Sequence, residues 1–153
     1  MGFTKISLKG RALRLLSGRE HSRAELQRKL RPHETEPGEL AKALDELEAQ
    51  GFINEQRVIE SVVHQRAVKL GASRVRQELQ AKGLDPQAVA EAVAGLQGSE
   101  EARAREVWRK KFGQPPRDAA EHGKQMRFLL TRGFGADVVR RVVRGAPGLD
   151  ADD

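Results

Sequence analysis

The sequence contains no cysteine and no tyrosine, and its aromatic residues amount to five Phe and one Trp. Without thiols there can be no disulfide, no thiolate catalysis and no cysteine-ligated zinc or iron-sulfur site, and the absence fits a reducing compartment. No apolar run approaches the roughly 20 residues needed to span a bilayer. The opening stretch MGFTKISLKGR lacks the apolar centre of a secretory signal, so a cytoplasmic location is expected and a membrane association is not. The four histidines, His21, His33, His64 and His122, lack the paired spacing of a zinc site and are expected in surface or capping roles. Glycines never fall into the G-x-x-x-x-G-K-[ST] or G-x-G-x-x-G patterns that cradle phosphates. Acidic residues mostly stand near helix starts or opposite cations, where they serve dipoles and ion pairs. No catalytic residue, metal or cofactor is therefore expected.

What the chain does have is the vocabulary of helices: Ala, Leu, Glu, Arg, Lys and Gln dominate, while the aromatic residues that favour sheets are scarce. Only 38% of residues are apolar against 33% charged, which implies a thin core and an extended shape rather than a sphere. The net charge of +6 points to an anionic partner. That charge is segmented. Residues 5–31 carry nine basic and two acidic residues, whereas 32–55 carry one basic and seven acidic. Basic character returns with six against four in 56–96 and twelve against six in 97–144, and the last nine residues hold three acids. Such blocks suit a surface that tracks an extended polyanion, and they equally suit solvated helix faces.

Two stretches repeat one another, ELQAKGLDPQAV at 78–89 and FLLTRGFGADVV at 128–139. Leu79 corresponds to Leu129, Lys82 to Arg132, Gly83 to Gly133, Leu84 to Phe134 and Val89 to Val139. In each, a glycine stops a helix in the left-handed conformation and the basic residue before it faces the helix's carboxyl end. Leu84 and Val89 flank the Asp85-Pro86 cap at hydrophobic-staple spacing, as do Phe134 and Val139 around Gly135. A looser copy, HSRAELQRKL at 21–30, opens with Ser22 and Glu25 as a capping box and aligns Leu26 with Leu79 and Lys29 with Lys82. Asn54 caps a further helix, with Ile53 and Val58 as its staple.

Nine helices follow from these signals, at about 6–17, 22–31, 37–50, 55–70, 72–82, 86–96, 99–112, 117–132 and 136–144. They form an all-α fold of three tandem three-helix repeats, 1–53, 54–97 and 98–145, in an elongated, curved array, with an acidic frayed tail at 146–153. A triplet of this size can hardly bury its own apolar faces, so the repeats are expected to stack on one another. Basic clusters are the candidate contacts. Arg103, Arg105, Arg109, Lys110 and Lys111 crowd one helix around Trp108, which is expected in the core. Arg66, Lys69, Arg74, Arg76 and Lys82 bracket the second repeat's turn, and Arg140, Arg141 and Arg144 end the third. Sequence-specific reading of duplex DNA is disfavoured, because the helix after Gly83, DPQAVAEAVAGL, lacks the Arg, Asn or Gln array that reads base edges.

The run ALRLL at 12–16 with SGREHSRAELQRKL, then LDELEAQGFINEQRV, then RQELQAKGL, resembles the bacterial RecX regulatory proteins in order and spacing, from about residue 7 to 144. The resemblance implies three tandem three-helix repeats and no catalytic residue. It further implies that the chain, probed as a monomer, binds RecA as a filament on single-stranded DNA, with weak direct DNA contact a second possibility, and restrains RecA's recombination, ATP-hydrolysis and coprotease activities. Arg57, Arg66, Arg74, Glu78, Leu79, Lys82 and Gly83 fit the middle repeat's pattern. Where the family commonly has Arg-Phe-Ala and then Trp or Tyr, this chain has Arg57-Val58-Ile59 and Val62, so β-branched side chains replace aromatic packing there.

Overall fold

The computed structural model describes residues 6–144, so the acidic tail expected at 146–153 lies outside the described residues. Among the described residues there are nine α-helices and no strand. The first repeat comprises α1 (Leu8–Gly18), α2 (Arg23–Leu30) and α3 (Glu39–Ala49), the second α4 (Glu55–Arg66), α5 (Ala72–Ala81) and α6 (Pro86–Ala94), and the third α7 (Glu100–Lys111), α8 (Ala119–Thr131) and α9 (Ala136–Arg144).

Most helix starts follow from a side chain placed to receive orphan backbone N–H groups. Ser22 Oγ accepts from Glu25 N at 3.1 Å while Glu25 returns a carboxylate oxygen to Ser22 N at 2.9 Å, completing the capping box. Asn54 accepts from Arg57 N, Asp85 from Ala88 N and Asp118 from Glu121 N. At the corners, Gly83 and Gly133 take φ of +69° and +91°, values that L side chains rarely adopt. The staple residues on either side are buried: Ile53 with Val58, Leu84 with Val89, Phe134 with Val139.

Each repeat closes its own core, contrary to the expectation that a triplet could not. Leu8, Ala12, Leu26, Leu30, Leu40, Leu44 and Leu47 form the first. The second is aliphatic, built on Val58, Ile59, Val62, Val75 and Leu79. The third gathers Trp108, Leu129, Phe134, Val139, Val142 and Val143. The reason is geometric: three short helices meeting at steep corners each contribute one narrow apolar stripe to a common centre, and three stripes are enough. Trp108 is 3% exposed, and its indole N–H donates to Gln125 Oε1 at 2.8 Å, whose own amide donates to Gln114 O at 3.1 Å. A buried polar pair of this kind costs little because both partners are satisfied.

Helix α4 ends at Arg66, four residues earlier than periodicity predicts. Residues 67–70 instead form turns on the Arg66 carbonyl, which accepts from Lys69 N and Leu70 N, and so deliver Gly71 against the third repeat.

Candidate interaction surface and inter-repeat junctions

With separate cores, the repeats are held together by polar contacts, and these contacts themselves repeat. At the first junction Ser22 Oγ donates to the Lys82 carbonyl at 2.6 Å. At the second, Gly71 N donates to the Arg132 carbonyl at 2.8 Å. Ser22 and Gly71 both sit at the head of the second helix of their repeat, and Lys82 and Arg132 both sit at the end of the second helix of the next one. Counting from these heads sets Leu30, rather than Leu26, opposite Leu79, so the sequence alignment of the first copy is one helical turn out of register. The cause is that α2 is the shortest of the three second helices, ending at Leu30 before a 3-10 turn at Arg31–His33 instead of at a glycine.

Glu25 anchors the first junction. Its Oε2 meets Arg19 at 2.8 Å and Lys82 Nζ at 3.2 Å, and only 7% of its side chain is exposed. Burial pushes its pKa up, but hydrogen bonds from Arg19, the Ser22 amide and Lys82 outweigh that and bring it down to about 2. Beside it His21 is 2% exposed, a correction to the expected surface role. Its Nδ1 lies 3.0 Å from the Arg19 carbonyl and its Nε2 3.2 Å from Lys29 Nζ, which together define a neutral ring that donates through Nδ1 and accepts through Nε2. Burial lowers its pKa, and the Arg19 carbonyl only partly offsets this. Arg57 joins the same seam, donating to Glu20 at 2.9 Å and to the Gly51 carbonyl at 2.8 Å.

The second junction uses backbone carbonyls. Arg103 donates to Ala67 O and Leu70 O, each at 2.8 Å, and Arg74 to Thr131 O at 2.8 Å. Glu100 Oε1 accepts from Ala72 N at 2.7 Å.

The cations singled out in the sequence thus fall into distinct environments. Lys82, Arg57, Arg103 and Arg74 have donors committed to the junctions. Arg66 pairs with Glu78 at 3.1 Å, Arg109 with Glu106 at 2.6 Å, Arg141 with Glu101 at 2.5 Å and Arg140 with Asp137. Arg76 is exposed on α5 with no side-chain partner among the described residues. Lys69, Lys110 and Lys111 are brought together, lining one depression of about 320 Å³ between the second and third repeats with Val68, Phe128 and Arg132.

The sequence reading passed over Lys124, Phe128 and Arg132, although their i, i+4 spacing on α8 places them on one face. The Arg132 guanidinium lies 4.7 Å from the Phe128 ring centroid and Lys111 Nζ 5.4 Å from it, while Phe112 meets the ring edge-on at 5.4 Å. Among the described residues no group of side chains could hold a metal ion, and no helix is long and apolar enough to cross a membrane.

Comparison with known proteins matches this architecture repeat by repeat. The RecX first, second and third three-helix domains match residues 9–47, 54–93 and 99–143. The Regulatory protein RecX of Leptothrix cholodnii is 54% identical over 140 residues, covering 92% of this chain and 89% of the relative. That of Ralstonia nicotianae is 49% identical over 97% of this chain and 94% of its own length, and that of Pseudomonas fluorescens 40% identical over 98% and 96%. The crystal structure of RecX from Lactobacillus salivarius superposes with a TM-score of 0.70 at 21% identity, covering 91% of this chain and 94% of the other, which establishes the shared fold. With three successive domains matched in order and relatives of 40 to 54% identity along nearly the whole chain, this protein belongs to the RecX family of regulatory proteins.

Proposed function

We propose that this chain is a non-enzymatic, cytoplasmic regulator that binds RecA assembled on single-stranded DNA, lies along the filament as a monomer and restrains its recombination, ATP-hydrolysis and coprotease activities. The observation that carries the reading is the tandem array itself: units with their own cores, joined by fixed polar junctions, present separate cation-bearing surfaces along one chain. Weak contacts from successive repeats then add through effective concentration, which favours a polymeric partner over a single subunit. The repeats 1–53, 54–97 and 98–145 act as the contact units in this reading.

Arg76 and Lys69 are the contact candidates in the second repeat, being exposed and uncommitted. Arg66 and Arg74 are excluded from a charge-reversal test, because reversing Arg74 would break its bond to Thr131 O and reversing Arg66 would set it against Glu78. The test is the steady-state ATPase of RecA on single-stranded DNA, titrated with this protein at near-physiological salt. Inhibition is expected well below one molecule per RecA, and Lys69→Glu with Arg76→Glu is expected to weaken it with helicity unchanged. Inhibition that appears only when the protein coats the DNA would overturn filament-directed regulation.

A further inference from the structure

The depression holding Lys69, Lys110 and Lys111 does not end there. It adjoins a second, of about 620 Å³, with Lys111, Phe128 and Arg132 common to both. The second adds Lys124 and Arg127, so six cations border one track across the face of α7 and α8. No carboxylate lines either depression among the described residues. The nearest acids stand outside, Glu106 4.0 Å from Lys110 and Glu121 beyond Lys124. The floor is apolar: Phe128 is partly buried, and Val68 at the rim is 62% exposed, more than any other large hydrophobic residue described.

We propose that this track binds the backbone of single-stranded nucleic acid directly, without RecA, with an unstacked base seated on the Phe128 and Val68 floor. Charge of one sign along a continuous groove is complementary to a polyphosphate, each phosphate neutralised releasing its condensed counterions. An apolar, aromatic floor has no use in contacts to phosphates alone, and a duplex offers no base face sideways; a single strand offers both phosphates and bases. Arg132 and Lys111, already poised against the Phe128 ring, hold their charge near a base seated there. Stacking accepts any base, so binding is independent of sequence.

The experiment is fluorescence anisotropy of a dye-labelled oligo-dT with the purified full chain and no RecA present, as a function of salt. Binding is expected to weaken with salt along a log-log slope of about −3, corresponding to about four phosphates. Lys111→Glu with Arg127→Glu, both exposed tips, is expected to weaken it about tenfold or more. The matched pair Arg14→Glu with Lys42→Glu, exposed on the first repeat, changes net charge equally and is expected to have far less effect. Phe128→Leu, with the fold verified by circular dichroism, removes stacking without charge and is expected to weaken binding about fivefold or more. Equal losses in the two charge pairs would reduce the effect to net charge and overturn the site, as would absence of binding by the unaltered chain at 50 mM salt. Intact oligo-dT binding in the Lys111 and Arg127 variant, coupled with lost inhibition of RecA, would assign the track to a protein segment instead. Because the anisotropy contains no RecA, its failure leaves the filament reading standing and the two are separable.

Discussion

Glu25 closes the capping box of its own helix and holds Lys82 of the next repeat with the same carboxylate. Its folded pKa of about 2 lies below the ordinary 4.5, so the unfolded chain binds its proton first as pH falls. The stability it contributes is complete above about pH 4.5 and is lost as pH falls through 2. His21 acts in the same direction: its lowered pKa means that protonation below about 6.5 favours the unfolded chain and places a second charge beside Lys29. Glu25→Gln isolates the carboxylate. Urea unfolding at pH 7 should show a loss of about 1–3 kcal/mol, since Gln still serves the cap but leaves Lys82 and Arg19 without a counter-charge. Between pH 4.5 and 2.5 the variant's stability should fall less steeply than that of the unaltered chain. Parallel curves would mean that Glu25 carries no net linkage.

Helix α5 is positioned by backbone rather than by side chains. A Cβ on Gly71 would lie 2.3 Å from Gly133 O and 2.5 Å from Phe134 N, all main-chain atoms that cannot rotate away. Its φ of −77° is ordinary, so the demand for glycine is purely one of space. Gly71→Ala should therefore cost about 2 kcal/mol or more by thermal or urea unfolding, with the second junction opened. Gly18→Ala is the control: nothing lies within 4 Å, and a neutral or slightly stabilising result, up to about 1 kcal/mol, is expected. These cases show what a sequence can and cannot disclose. Ser22, Asn54 and Asp85 cap as their spacing predicts, and the staple pairs are buried, because these are interactions within a few residues. Gly71 reads in sequence as a loop glycine, and its reason lies 62 residues away. Lys82 reads as a dipole-facing cation with a free head, yet it meets Glu25 across 57 residues. The track around Phe128 was half legible: the basic run at 109–111 stands out, but nothing local in the chain brings Lys69 to it.

At the scale of the whole molecule, three cores joined by polar seams make a short linear array in which each unit couples to its neighbour. Alignment of the surface cations then depends on junctions, not on any one core. A weakened junction should free the adjoining units and leave the distant one as it was. Native-state hydrogen exchange of Glu25→Gln at pH 7 measures this amide by amide. Faster exchange is expected for Leu26, Leu30 and Leu44 in the first repeat and for Val75 and Leu79 in the second, while Leu129, Val142 and Val143 keep their protection. Gly71→Ala should reverse the pattern, sparing the first repeat and loosening the third. A uniform loss across all three repeats from either substitution would mean that the chain unfolds as one cooperative unit, and that the polar seams transmit as much stability as the cores they join.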